Sequence, residues 1–227
     1  MAKGKLIVIE GSDGSGKSTQ FALLAEYLKH EGKEAVTYHF PQYDEPSSYF
    51  VREYLKGNYG GAEELGAYAP SLFYALDRFQ AAKKIRDYLD EGRTVLIDRF
   101  VGSNMAHQGQ KIDDPSERKK YFKWVYDLEF NILRIPEPDL NIVLLTEAEV
   151  AQQLTAERKG LDYLDGATQD IHEADLRHLE RAVATYRELC SFFPATFTGI
   201  ECIDDHARLR PIDSIHQEIR GIVSHLI

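Results

Sequence analysis

Nine residues constrain this chain more than any others. They are Gly11-Ser12-Asp13-Gly14-Ser15-Gly16-Lys17-Ser18-Thr19, set between the apolar run Leu6–Ile9 and the amphipathic stretch from Gln20. The Gly-x-x-x-x-Gly-Lys-Ser spacing is that of a loop whose backbone N–H groups wrap phosphate oxygens. Glycine admits the positive φ angles that turn those groups inward. A helix starting near Lys17 adds unpaired N–H groups and the positive end of its dipole. Lys17 is suited to neutralise the β- and γ-phosphates of a nucleoside triphosphate, Ser18 to ligate Mg2+, and Thr19 to approach the α-phosphate. The loop needs a strand before it and a helix after it, which commits the chain to an α/β fold.

The remaining sequence agrees with that commitment. Ala35–Phe40, Thr94–Ile97, Leu140–Leu145 and Ile200–Ile203 are β-branched apolar runs that read as further buried strands. Helical patterns alternate with them, predicting a five-stranded parallel sheet with helices on both faces. Phe21, Leu24 and Leu28 recur at helical spacing, with Gly32 as a stop. In the helix around Ser71–Gln80, Leu72, Leu76 and Phe79 are expected to form the core stripe, with Tyr74 and Arg78 on another face. The length of 227 residues suits one domain spanning 1–227. The net charge of −10 argues against a nucleic-acid partner. Cys190 and Cys202, the sole cysteines, make no disulfide framework. No stretch reaches the roughly 18 apolar residues of a membrane span, and the N-terminal run reads as a strand rather than a signal peptide. A cytoplasmic protein that does not engage membranes is expected.

In such folds ligands bind beyond the carboxyl ends of the strands. Four groups of residues fall there or close by. Phe40-Pro41, after the second strand, can form a pocket wall. Tyr74 and Arg78 can stack on and hydrogen-bond a planar base. Asp98-Arg99 closes the third strand, where Asp98 can hold a Mg2+-bound water and Arg99 an acceptor phosphate. Asn104, His107 and Gln108 share one helical face, and amides can read a base edge because they both donate and accept. Each group also has a plain structural reading: a turn, an exposed pair, an ion pair, a satisfied histidine. The loop alone does not distinguish a kinase from a nucleotide-dependent switch, although the absence of a guanine-reading Asn/Thr-Lys-x-Asp motif disfavours a GTPase.

Taken in order, IEGSDGSGKST, FPQY, VREYL, LFYALDR, DRFVGSNMAHQG and IPEPD resemble the thymidylate kinase family from about Lys5 to about Asp139, and more weakly beyond. The resemblance implies a P-loop kinase three-layer sandwich with a small lid over about 155–173. It implies transfer of a phosphoryl group from ATP, with Mg2+, to dTMP, and a homodimer packed through helices. By position, Asp13 would contact the 3′-hydroxyl, Phe40 and Pro41 the sugar and base pocket, and Arg52 and Arg99 the dTMP phosphate. Tyr74 would stack on the base, with Phe73 as the alternative register. Arg78, Asn104 and Gln108 would read its edge. His107 stands where members carry an aromatic ring beside the sugar 2′ position. One class of the family carries arginine where this loop has Gly14, so the lid is expected to supply the catalytic cation, and Arg158 is its candidate. Two other readings stay open: a kinase for another nucleoside monophosphate or a deoxynucleoside, and a nucleotide-binding switch with no acceptor.

Overall fold

Strand β1 (Leu6–Gly11) is buried along its whole length and lies at the centre of the sheet. The structure is a computed structural model that describes residues 3–156, 176–206 and 208–227. The sheet adds β2 (Val36–His39), β3 (Val95–Asp98), β4 (Leu140–Leu145) and β5 (Phe197–Glu201), all parallel, in the order β2-β3-β1-β4-β5. Alternation along the strands builds two cores. Leu6, Val8, Val95, Ile97, Val143 and Leu145 face one side. Helices α3 (Tyr68–Asp90), α4 (Val101–Gly109), α5 (Pro115–Tyr126) and α7 (Leu176–Phe192) contribute to the core on that side. Ile7, Ile9, Leu96, Ile142, Leu144 and Ile200 face the other side, under α1 (Lys17–His30) and α8 (Ile212–Ser224). This is the three-layer arrangement expected of such a sequence. Short helix α2 (Tyr49–Leu55) follows a 3-10 turn, and α6 (Ala148–Ala156) follows β4.

Local chemistry sets several ends. Phe21, Leu24 and Leu28 bury the inner face of α1 as the spacing predicted, each worth about 1.5–3 kcal/mol when fully buried. The helix stops where Gly32 adopts φ 71°. Asp114 caps α5 by accepting from Glu117 N–H at 2.9 Å, with Pro115 at the first helical position. The helix then widens into a π-helical turn over Asp127–Ile132. Asp139, from IPEPD, accepts from Leu6 N–H at 2.9 Å and from Lys5 Nζ at 3.0 Å. That motif ties the start of β1, at the far end of the strand from the glycine loop.

Two expectations fail. The fifth strand starts at Phe197, three residues before the predicted Ile200. Asn141, the second residue of β4, donates its backbone N–H to Thr196 O at 2.7 Å and its side-chain amide to the same oxygen at 3.1 Å, and this fixes the register. Gly199 obscures the strand in sequence, yet a Cβ there would sit 2.9 Å from Leu145 Cδ1. The second failure is the core stripe of α3. Leu72, Leu76 and Phe79 are 42%, 48% and 51% exposed. The helix instead buries Ser71, Ala75, Asp77, Arg78, Ala81, Ala82, Ile85 and Leu89. Ala81, Ala82, Ile85 and Leu89 join the sheet-side core, and Tyr74 and Arg78, further up the helix, line a cleft.

Candidate active site

The glycine loop leaves β1 with φ values of 143° at Gly11, 75° at Gly14 and 86° at Gly16. A Cβ at Gly11 would lie 2.7 Å from Leu144 O, whereas at Gly16 there is open space. Lys17 is 6% exposed and folds back to donate from Nζ to Ser12 O at 2.6 Å. Burial and the neighbouring Arg99 charge bring its ammonium down to about 8. The hydroxyls of Ser12 and Ser15 are buried without partners. Ser18 and Thr19 are exposed at the helix start, where the first N–H groups have no intrahelical acceptor. The loop is thus a set of unsatisfied donors around a buried cation.

β3 delivers the opposite wall. Arg99 is held at φ 61°, an uncommon conformation for a residue with a Cβ, and its N–H donates to Ile9 O at 3.0 Å. Its guanidinium reaches Asp13 Oδ1, Gly11 O at 3.3 Å, Ser103 Oγ at 3.4 Å and His107 Nε2 at 3.1 Å. Burial pushes the Asp13 carboxyl up, but the Arg99 and Lys17 charges outweigh it and hold it below the usual carboxylate range. Burial also acts on Asp98, where a hydrogen bond from His39 and the charges of Lys17 and Arg99 prevail and keep it ionised. Asp98 Oδ1 is buried and unpartnered. With the exposed Ser18 hydroxyl it is a donor set that suits a hard, oxygen-seeking cation such as Mg2+.

Beside this wall lies a cleft of about 650 Å³, its open mouth included. It is lined by Asp13, Phe40, Pro41, Tyr43, Leu55, Tyr74, Arg78, Arg99, Phe100, Ser103, Asn104, His107 and Gln108. Nine of the candidates therefore meet in one place: Asp13, Phe40, Pro41, Tyr74, Arg78, Arg99, Asn104, His107 and Gln108. Tyr74 rests edge-on against Tyr54, with ring centroids 6.4 Å apart. Asn104 Oδ1 and Gln108 Oε1, on two residues that line the cleft, are buried without hydrogen-bond partners. The His107 ring stacks on that of His178 at 5.8 Å.

Two candidates lie elsewhere. Arg52 is not in the cleft lining; its Nη1 donates to Tyr43 O at 2.6 Å and Glu45 O at 3.2 Å and also bonds Ser48 Oγ, bracing the loop after β2. Phe73 faces away, stacked on Phe50 at 5.6 Å beside Tyr59, so of these two neighbours Tyr74 is the one in the cleft lining. Arg158 and the 155–173 lid fall, but for their first two positions, outside the described residues.

The structure adds buried groups that the sequence reading passed over. Glu10 is fully buried. Its Oε1 accepts from Phe100 N–H at 2.9 Å and Ser103 N–H at 3.0 Å, capping α4. Its Oε2 accepts from the Ser103 hydroxyl at 2.6 Å and the Tyr186 hydroxyl at 3.2 Å. Burial raises its pKa despite the Ser103 and Phe100 donors and the Arg99 charge. Asp77 accepts from Gln42 N–H at 2.8 Å and from the Ser47 hydroxyl at 2.5 Å, pinning the Phe40–Gln42 loop to α3. Glu129, in the π-helical turn, holds Arg78. The available signal was a carboxylate interrupting an apolar run, as in LIVIEG.

The sheet order, the glycine loop after its central strand and the acid–base pair after β3 define a P-loop kinase. Comparison with known proteins narrows the class. The sequence profile of the family described as thymidylate kinase matches residues 9–203. A thymidylate kinase of Mycobacterium tuberculosis is 32% identical over 82% of this chain and 86% of its own. One from Clavibacter michiganensis is 35% identical over 75% and 77%. Among solved structures, a thymidylate kinase from Candida albicans superposes with a TM-score of 0.71 at 23% identity, covering 99% of this chain and 93% of that one. The chain belongs to the thymidylate kinase family.

Proposed function

We propose that this protein transfers the γ-phosphoryl group of ATP, with Mg2+, to dTMP, giving dTDP and ADP. The observation that carries the reading is the cleft beside the glycine loop, where Arg99, an aromatic ring and unpartnered amide oxygens converge. Gly11–Thr19 would hold the triphosphate. Asp98 and Ser18 would hold Mg2+, which would supply neutralising charge to the triphosphate. Arg99 would grip the acceptor phosphate, Tyr74 would stack on the base, and Asn104, Gln108 and Arg78 would meet its edge. His107 would adjoin the sugar, and Asp13 the 3′-hydroxyl. The attacking oxygen is already anionic, so positioning and charge neutralisation carry the rate. Arg52 is assigned to bracing the loop at Tyr43–Ser48, and Arg158 stays the candidate for the lid cation.

The test is an acceptor screen with ATP and Mg2+. ADP is expected to form with dTMP, together with dTDP, and not with thymidine or without acceptor. ADP release without acceptor would favour a switch; a preference for thymidine would favour a nucleoside kinase.

The same reading places the protein in the cytoplasm as a homodimer. Among the described residues no helix is long and apolar enough to cross a membrane. The outward stripe of Leu72, Leu76 and Phe79, with Tyr49, Phe50 and Tyr68 also exposed, is the face best suited to a second copy. Leu76→Arg is expected to convert a dimer to a monomer in sedimentation velocity. An unchanged sedimentation coefficient would move the interface elsewhere.

A further inference from the structure

Glu129 is entirely buried, 51 residues from Arg78 and 25 from Asn104 in sequence, yet it binds both. Its Oε2 accepts from Arg78 Nε at 2.6 Å, and its Oε1 accepts from Arg78 Nη2 at 2.6 Å and from Asn104 Nδ2 at 3.0 Å. A guanidinium only donates, so both Glu129 oxygens act as acceptors. The Asn104 nitrogen must therefore face Glu129, also donating to Ser71 O at 3.2 Å. That leaves the buried, unpartnered Oδ1 as the atom Asn104 offers to the cleft it lines. The same carboxylate occupies two of the three nitrogens of Arg78. Nη1 remains, with only a long contact of 3.4 Å to Phe100 O.

We propose that Glu129 is a positioning residue that sets the polarity of the base-reading wall: an acceptor at Asn104 beside a donor at Arg78. This pair complements a ring edge with N–H next to C=O, as in thymine and uracil. It opposes cytosine, which offers an acceptor nitrogen next to an amino donor. Selectivity among pyrimidines is then written in a carboxylate behind the wall. The π-helical turn presents it there, and such turns occur often at functional sites. The inference rests on the dTMP reading and names the group that enforces it.

Glu129→Gln tests it. Glutamine brings one acceptor and one donor. Its N–H2 must oppose either Arg78 Nε or the shared Arg78 Nη2 and Asn104 Nδ2 site. The first arrangement loosens the hold on Arg78, the donor of the wall, and the second turns Asn104 over and presents its N–H2 to the cleft, which suits cytosine N3; either one weakens the acceptor–donor polarity that favours thymine. In the full-length protein, the ratio of kcat/KM for dTMP to that for dCMP is expected to narrow by roughly tenfold or more, while KM for ATP stays within about twofold. Equal losses for both acceptors, with the ratio unchanged, would make Glu129 merely structural and overturn the inference. If Glu129→Gln does not fold, Glu129→Asp decides: its carboxylate ends one methylene short of Arg78 and Asn104, so a narrowed ratio supports the inference and equal losses for both acceptors overturn it. Wild-type protein that fails to phosphorylate dTMP would instead sink the dTMP reading, and this inference with it.

Discussion

Replacing Arg99 by methionine is expected to lower kcat/KM for dTMP by about 10³-fold, in the range for a cation that acts on a transferring phosphoryl group. Arg99 bonds Asp13, Gly11 O, Ser103 and His107 at once, so it ties the phosphate loop to the acceptor cleft. Burial lowers its pKa, but Asp13 and the other nearby acids outweigh that, so it stays a cation. Methionine keeps the Cβ at φ 61°, so the backbone strain is the same in both proteins. The comparison isolates the guanidinium. Arg99→Lys should recover little, because an ammonium is a single point of charge and cannot span those partners. Steady-state kinetics with each substrate varied would settle the matter. A loss of less than about tenfold would move the acceptor phosphate away from Arg99.

The second large effect is on stability. Glu10→Ala is expected to lower the melting temperature by roughly 4–24 °C. The deletion strands the N–H groups of Phe100 and Ser103 in the core, at about 1–3 kcal/mol each, and each kcal/mol moves the melting temperature by about 2–4 °C at this size. Glu10→Gln should stay within about 3 °C of wild type. Its carbonyl oxygen can keep both backbone donors, and its amide can donate to the Ser103 and Tyr186 hydroxyls, which rotate to accept. The pair separates hydrogen bonding from charge. Equal melting temperatures for the two variants would refute the capping role. Activity should track the same contrast, because α4, which Glu10 caps, carries Ser103, Asn104, His107 and Gln108.

What was legible in the sequence was what is local along the chain. The glycine loop, Phe40-Pro41 and Asp98-Arg99 each sit directly after a strand, so a strand assignment and a rule about strand ends place them together. Tyr74 was separable from Phe73 by helical spacing to Arg78. The buried carboxylates were not legible. Glu10, Asp77 and Glu129 find partners 90, 35 and 51 residues away, and a lone acidic residue ordinarily reads as surface. Arg52 turns its Nη1 to the loop after β2, outside the cleft lining, and a shared motif gives position but not the direction in which a side chain turns. The stripe of Leu72, Leu76 and Phe79 was found correctly as apolar and assigned to the wrong side. Periodicity reveals a face that wants covering, and does not say whether this chain or another covers it.

The pairing of β1 with β3 has a consequence for distance. Ile9 lies opposite Asp98, and Arg99 bonds Ile9 O, so the loop after one strand and the acid–base pair after the other share one hydrogen-bonded ruler. A slip of one residue would shift them by about 3.3 Å, as large as the roughly 3–3.5 Å that separates reacting atoms poised for transfer. It would also turn every Leu, Ile and Val of the strand to the opposite face of the sheet. The apolar packing of the sheet therefore serves as a calibration: the greasy interior fixes how far the glycine loop stands from Arg99, and with it the spacing at which the proposed transfer would hold its two phosphates.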